Sequence, residues 1–186
     1  MGKELIKIQK KQLLSILKKL SFKRKHVILS SGKISNYYFD GRITSLNHQG
    51  AYRIASIILN MIKYDKITAI GGLTLGADPI IGAVVALSAK TKIPLNGFIV
   101  RKQEKKHGMK NLIEGFALKK SSRVLIVDDV VTTGSSTIQA IKAVKKIGCK
   151  IVRVIAIVDR LEGAAKNIAK HRCRLESIFT IKDFNL

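Results

Sequence analysis

From residue 67 onward the chain alternates short, mostly apolar, β-prone runs with stretches whose apolar residues recur at helical spacing. The runs fall at 67–70, 95–100, 124–127 and 151–158, with a further candidate at 177–181, and the helical segments between them at 79–89 and 136–147. A strand that is apolar on both faces has to be covered on both, so the pattern predicts a mainly parallel central sheet flanked by helices. The fold class is α/β. With 186 residues and 46% hydrophobic content the chain can bury one sizeable core, and residues 1–186 are expected to form a single domain.

Ahead of this region, Leu5, Ile8, Leu13, Ile16, Leu17 and Leu20 recur at helical spacing with lysines between them, which predicts an amphipathic first helix. A second helix is predicted over 53–62, with Ile54, Ile57, Ile58 and Met61 on one face. The apolar runs fall far short of the roughly 18 residues of a membrane span. The first twenty residues carry closely spaced charges, unlike a signal peptide, so a cytoplasmic protein is expected. Cys149 and Cys173 have neither the number nor the spacing of a disulfide framework or a metal knuckle.

The charge is strongly unbalanced, with 35 Lys+Arg against 12 Asp+Glu and a formal net charge of +23. Nucleic acid, anionic lipid and polyanionic small molecules are all compatible with it. The lysines are spread over expected helix surfaces, only 5% of residues are aromatic, and no RNA-binding signature is present. A solvated basic face is the preferred reading, and nucleic acid is not the expected partner.

Against that background, the stretch "RVLIVDDVVTTGSST" places two acids side by side, Asp128 and Asp129, directly after an apolar strand. In an open parallel sheet, ligands bind beyond the carboxyl ends of the strands. Thr132, Thr133, Gly134, Ser135 and Ser136 then open a helix, and backbone amides, a helix N-terminus and hydroxyls together form a phosphate cradle. Carboxylates repel phosphate but accept hydrogen bonds from sugar hydroxyls. A ribose 5-phosphate satisfies both halves of the motif. An acid pair that caps the helix or holds a metal is the structural alternative, and the full hydroxyl and glycine run favours the sugar phosphate. The polar, aperiodic segment "KQEKKHGMKNLIEG", residues 102–115, reads as a mobile lid, with a plain surface loop as its alternative.

"VLIVDDVVTTGSS" resembles the phosphoribosyl pyrophosphate (PRPP) signature of type I phosphoribosyltransferases. Three further segments resemble the orotate phosphoribosyltransferases in particular: "LSSGKISNYYFDGR" (29–42), "RKQEKKHG" (101–108) and "DRLEG" (159–163). "GGLTLGADP" (71–79) resembles the family's pyrophosphate-binding loop. The resemblance implies the type I phosphoribosyltransferase fold, with a small N-terminal hood segment and a mobile loop. It also implies transfer of ribose 5-phosphate from PRPP to orotate in pyrimidine (UMP) biosynthesis.

Carried over by position, the resemblance implies that Asp128 and Asp129 hold the ribose and that Val130, Val131, Thr132, Thr133, Gly134, Ser135 and Ser136 bind the rest of the phosphoribosyl group. Arg101, Lys102, Lys105 and His107 would meet the pyrophosphate, with Lys105 the main stabiliser of charge on the leaving group. Thr132, Arg160, Tyr37 and Tyr38 would meet orotate. Without the resemblance, Arg160 would be expected to pair with Asp159 or Glu162, His107 to be solvated, and the two tyrosines to be as suited to core as to site. Mg²⁺ is implied as cofactor, held mainly by substrate and water and not by direct protein ligands, and a homodimer with active sites shared between subunits as the assembly. Three positions depart from the family's common pattern: Ser30 and Gly76 stand where lysines are common, and Lys106 where an acid is common. Lys33 is the candidate substitute for one missing lysine. Two rival readings remain, a phosphoribosyltransferase for another base and a PRPP-sensing regulator that binds RNA.

Overall fold

The computed structural model describes residues 3–28, 34–92, 94–103 and 112–184. Its elements are α1 (Lys3–Leu20), β1 (Phe22–Ile28), β2 (Ile34–Phe39), α2 (Gly41–Ser45), α3 (His48–Met61), β3 (Ala69–Leu73), α4 (Asp78–Ser88) and β4 (Asn96–Val100). There follow β5 (Ile113–Gly115), β6 (Arg123–Val131), α5 (Ser135–Ile147), β7 (Lys150–Asp159), α6 (Ala164–Ala169), β8 (Leu175–Thr180) and a 3₁₀ turn (Ile181–Phe184). Six strands form the central sheet in the order β5-β4-β3-β6-β7-β8. All neighbours in it are parallel except β5, which runs antiparallel along the edge of β4. Among the described residues, no helix is long and apolar enough to cross a membrane.

The strands are apolar throughout because each face has its own helical layer. In β6, Leu125 and Val127 join the core formed by α1, α3 and α4, while Val124 and Ile126 join the core under α5 and α6. Ile155 and Ile157 of β7 divide from Val154 and Ala156 in the same way. This is the period of two acting on a two-sided sheet. Each fully buried Leu or Ile contributes about 1.5–3 kcal/mol relative to exposure. Arg153, set among the apolar residues of β7, pairs with Glu176 of β8 at 2.9 Å and with Asp65, so it is a compensated ion.

The helix predicted over 53–62 begins earlier, at His48, because Asn47 accepts the amides of Gln49 and Gly50 and caps it. Gly50 hides the start from a periodicity reading, yet it is required there: a Cβ would stand 2.1 Å from the carbonyl oxygen of Thr44 in α2. The sequence reading also assigned no strands to 22–39, where β1 and β2 form an antiparallel hairpin with Phe22 opposite Phe39. Phe22 and Phe39 both pack on Phe184, at ring-centroid distances of 5.6 and 5.2 Å, so the C-terminal turn seats the hairpin on the main body.

Gly71 shows how tightly β3 is held beside β4. A Cβ there would lie 2.3 Å from the ring of Phe98, which is fully buried. Gly71→Ala is therefore expected to lower stability by about 1–3 kcal/mol through overpacking. Equilibrium urea unfolding followed by circular dichroism checks this, and an unchanged midpoint would contradict it.

Candidate active site

The sheet topology puts a crevice where β3 and β6 lie side by side. From β3 the chain leaves through α4 toward β4, and from β6 it leaves through α5 toward β7 on the opposite side. Such a switch point is where open parallel sheets bind ligands. Gly71 pairs with Ile126, so two residues further on Leu73 comes level with Asp128. The loop after β3 and the acid pair of β6 thereby share one end of the sheet.

Asp128 continues the face of Val124 and Ile126 and meets α5, where the Thr137 hydroxyl donates to its Oδ2 at 2.7 Å. Its Oδ1 accepts the amide of Asp129. Asp129 turns to the other face, and its Oδ1 accepts the amide of Val130 at 2.9 Å. A Cβ at Gly41 would be 2.9 Å from its Oδ2, and one at Gly76 would be 2.5 Å from its Oδ1. Gly76 is thus a place where the backbone must approach a carboxylate closely. Burial, and then the charge of Asp129, push the Asp128 carboxyl up to about 7, and burial also raises Asp129 above the usual range.

The next residues form a loop closed by α6. The Val131 carbonyl accepts the amide of Arg160, the Thr132 carbonyl accepts the amide of Ala164, and the Thr133 carbonyl accepts Asn167 Nδ2 at 2.9 Å. Gly134 takes a left-handed φ of 81°, which favours glycine, and begins α5 with no side-chain cap. The first-turn amides of α5 are left for an external acceptor, and the exposed Thr133, Ser135 and Ser136 stand around them. The helix N-terminus adds its partial positive charge to the cradle.

A pocket of 430 Å³ opens over this region, within the usual range for small-molecule sites. Of the residues singled out in the sequence, Lys102, Asp128, Asp129, Val130, Ser136 and Tyr38 line it. The hairpin's period of two separates the paired tyrosines. Tyr38 faces the pocket, while Tyr37 stacks on Phe22 and lies beneath the Arg160 guanidinium, 4.6 Å from ring centroid to Cζ.

Arg160 is buried; its Nε donates to the Tyr37 hydroxyl at 3.0 Å and is 2.9 Å from Glu162 Oε1. It is not among the residues lining the pocket. Arg101 pairs with Glu114 at 2.8 Å and lines a neighbouring groove with Thr74, Leu75 and Lys102. The described residues that flank 104–111 are tied down, with the Arg101 amide on the Leu112 carbonyl and Gln139 Nε2 on the Lys102 carbonyl, both at 2.8 Å. Lys105, Lys106 and His107 lie outside the described residues, as do Ser30 and Lys33.

Gly76, noted in the sequence for standing where lysine is common, also lines the pocket, and the structure adds Phe39, Asp40, Gly41, Arg42 and Leu73 to Leu75, which the sequence did not single out. Asp40 accepts Arg42 Nε and Nη2 at 2.9 and 2.8 Å, and this fork holds the Asp40 carboxyl below its ordinary range. The available signal was a D-x-R spacing at the end of a strand, too common to single out. The loop after β3 is fixed by the Thr74 hydroxyl on Asp78 Oδ2 at 2.7 Å. The site thus offers carboxylate acceptors beside a donor-rich helix start. That combination suits a ligand with adjacent hydroxyls and a phosphate a few bonds away.

Known proteins agree with this chemistry. The phosphoribosyl transferase domain family matches residues 44–185. An orotate phosphoribosyltransferase of Aquifex aeolicus is 40% identical over 182 residues, covering 96% of this chain and 99% of that protein. One from Nostoc sp. is also 40% identical, over 94% of this chain and 84% of its own length. The crystal structure of the Mycobacterium tuberculosis H37Rv orotate phosphoribosyltransferase in complex with PRPP superimposes with a TM-score of 0.80 at 34% identity, covering 96% of this chain and 99% of that one.

Proposed function

The chain belongs to the orotate phosphoribosyltransferase family, and on that premise we propose that it transfers the ribose 5-phosphate group of PRPP to orotate in pyrimidine biosynthesis. N1 of orotate attacks the anomeric carbon, the new C–N bond forms, and the bond to pyrophosphate breaks with its electron pair leaving on oxygen. The single observation that carries the reading is the acid pair Asp128-Asp129 at the switch point, continuous with the uncapped start of α5. The acids accept the ribose hydroxyls, and Thr132 to Ser136 surround the 5-phosphate.

The leaving group departs as an anion, so little proton transfer is needed, and catalysis rests on positioning and electrostatic stabilisation. Lys102 stands at the pocket wall and Lys105 follows three residues later on the lid, where it neutralises the departing pyrophosphate. Closure of that segment excludes water that would otherwise hydrolyse the activated sugar. Arg160, stacked on Tyr37, anchors the orotate carboxylate. Its pairing with Glu162 supports a guanidinium held ready for exchange between two carboxylates.

Among the described residues, no cluster of three or more His, Cys, Asp or Glu suits direct metal binding. The acid pair nevertheless fits a Mg²⁺ carried in by the substrate, since Asp128 and Asp129 both line the pocket and a carboxylate oxygen can accept from metal-bound water. When bound, Mg²⁺ supplies charge neutralisation to the pyrophosphate. A homodimer is supported by the exposed apolar side chains Ile43, Leu46, Tyr52 and Leu75, the last of which lines the pocket. The net charge of +23 favours steering of a polyanionic substrate. The cytoplasm, where such substrates are made, is the expected location.

The direct test follows orotate absorbance after PRPP and Mg²⁺ are added, with hypoxanthine, adenine and uracil in parallel. Selective loss of orotate is expected. Turnover of another base, or of none while PRPP binds, would overturn the reading in favour of its rivals.

A further inference from the structure

We propose that Arg42 is a pyrophosphate-binding residue of this site and that Asp40 is its positioning residue. The inference rests on the reaction proposed above and adds a cation that the acid motif and the lid do not include. Asp40 stands at the exit of β2, where its Oδ1 accepts both the Arg42 amide at 3.1 Å and Arg42 Nε at 2.9 Å. Its Oδ2 accepts Arg42 Nη2 at 2.8 Å and the Tyr38 hydroxyl at 3.4 Å. The carboxylate is therefore pinned from two elements, and it fixes the guanidinium plane. The Nη1 hydrogens and the outer hydrogen on Nη2 are not engaged by Asp40, and the Arg42 side chain is 48% exposed where it lines the pocket. A planar guanidinium with paired free donors is suited to bidentate phosphate contact.

The described lining offers few cations to an anionic ligand. The pocket lining carries three acids, Asp40, Asp128 and Asp129, against two bases, Arg42 and Lys102. A ligand held by its 5-phosphate near Ser136 and by its hydroxyls at the acid pair extends its most anionic end toward the wall formed by 39–42 and 73–76. Gly76 on that wall brings no side chain, and a Cβ there would crowd Asp129 Oδ1 at 2.5 Å. Arg42 lines the same pocket from the connection between β2 and α2; burial raises the Asp129 carboxyl, and the charge of Arg42 opposes that rise.

The test is steady-state kinetics in both directions on the full chain, with PRPP, orotate, pyrophosphate and orotidine 5′-phosphate varied one at a time. Arg42→Ala is expected to raise KM for PRPP and pyrophosphate by about tenfold to a hundredfold, the range for losing a charge-assisted hydrogen-bond pair. KM for orotate and orotidine 5′-phosphate should stay within about threefold. Asp40→Asn should raise the same two constants by less, because the fork is loosened but the charge remains. Unchanged constants for PRPP and pyrophosphate, or an equal rise for all four ligands, would overturn the proposal. If thermal unfolding shows that Arg42→Ala is not folded, Arg42→Lys decides, since it keeps the charge and removes the fork: a selective rise for the two pyrophosphate-bearing ligands supports the proposal, and its absence sinks it. The unaltered chain serves as control, because failure to consume orotate there would defeat the reaction itself and not the role of Arg42.

Discussion

Asp128→Asn is expected to make the protein more stable at pH 8 and at the same time nearly inactive. Burial and the neighbouring Asp129 raise the Asp128 carboxyl from an ordinary 3.8 to about 7. Between those values the folded chain holds a proton that the unfolded chain has released. Stability therefore falls as pH rises through that window, and the loss is complete above it. Asparagine cannot ionise, so it removes the loss; its side-chain oxygen can still accept the Thr137 hydroxyl that now bonds Oδ2, while its NH2 faces the Asp129 amide that Oδ1 accepted and gives back part of the gain. A gain on the order of 2 kcal/mol at pH 8, shrinking to about nothing at pH 4, is expected.

Turnover should fall about a hundredfold or more, since an amide is a poorer acceptor for a ribose hydroxyl and offers a donor where a carboxylate stood. Thermal unfolding at the two pH values, with turnover at pH 8, separates the claims. Loss of activity together with loss of stability at pH 8 would mean that Asp128 is a structural acid, the alternative that the acid pair raised from the start.

Lys105→Ala is expected to cut turnover by about a hundredfold to a thousandfold, the range for removing one preorganised donor from a developing anion. The lining charge makes the case: three acids face two bases in the described pocket, and a departing pyrophosphate adds more negative charge. The positive charge that offsets it has to come from elsewhere. Segment 104–111 carries Lys105, Lys106, His107 and Lys110 between stem residues anchored to Leu112 and Gln139. The unfolding midpoint should stay close to that of the unaltered chain, because substitution of one lysine in a polar, aperiodic segment removes no apolar packing. Single-turnover kinetics reads the chemical step directly, and wild-type turnover would end this assignment.

Much of this architecture was legible in the residues. Val124 to Val127 are apolar on both faces because helices cover both, and that alone required a parallel sheet with two helical layers. The hydroxyl and glycine run after Asp129 marked a helix start, and α5 begins there, with Gly134 giving it no side-chain cap. Local signals failed where the partner lay far along the chain. Nothing in "NYYFDGR" says that Tyr37 stacks on Arg160, 123 positions away, or that Tyr38 turns to the pocket. Those outcomes follow from the hairpin resting on Phe184 at the other end of the chain.

The sequence by itself determined the α/β class, the acid pair at the end of β6, and the hydroxyl-rich helix start that follows, because each is written in short-range periodicity and in chemistry carried by adjacent residues. Only the tertiary structure decided which remote groups gather at that end of the sheet. It brought Arg42 to the pocket on its Asp40 fork, held Arg160 on Tyr37, and drew the Gly76 backbone against Asp129. The physical reason is that charge and close approach depend on distance in space, which packing between remote segments sets and which no local pattern encodes.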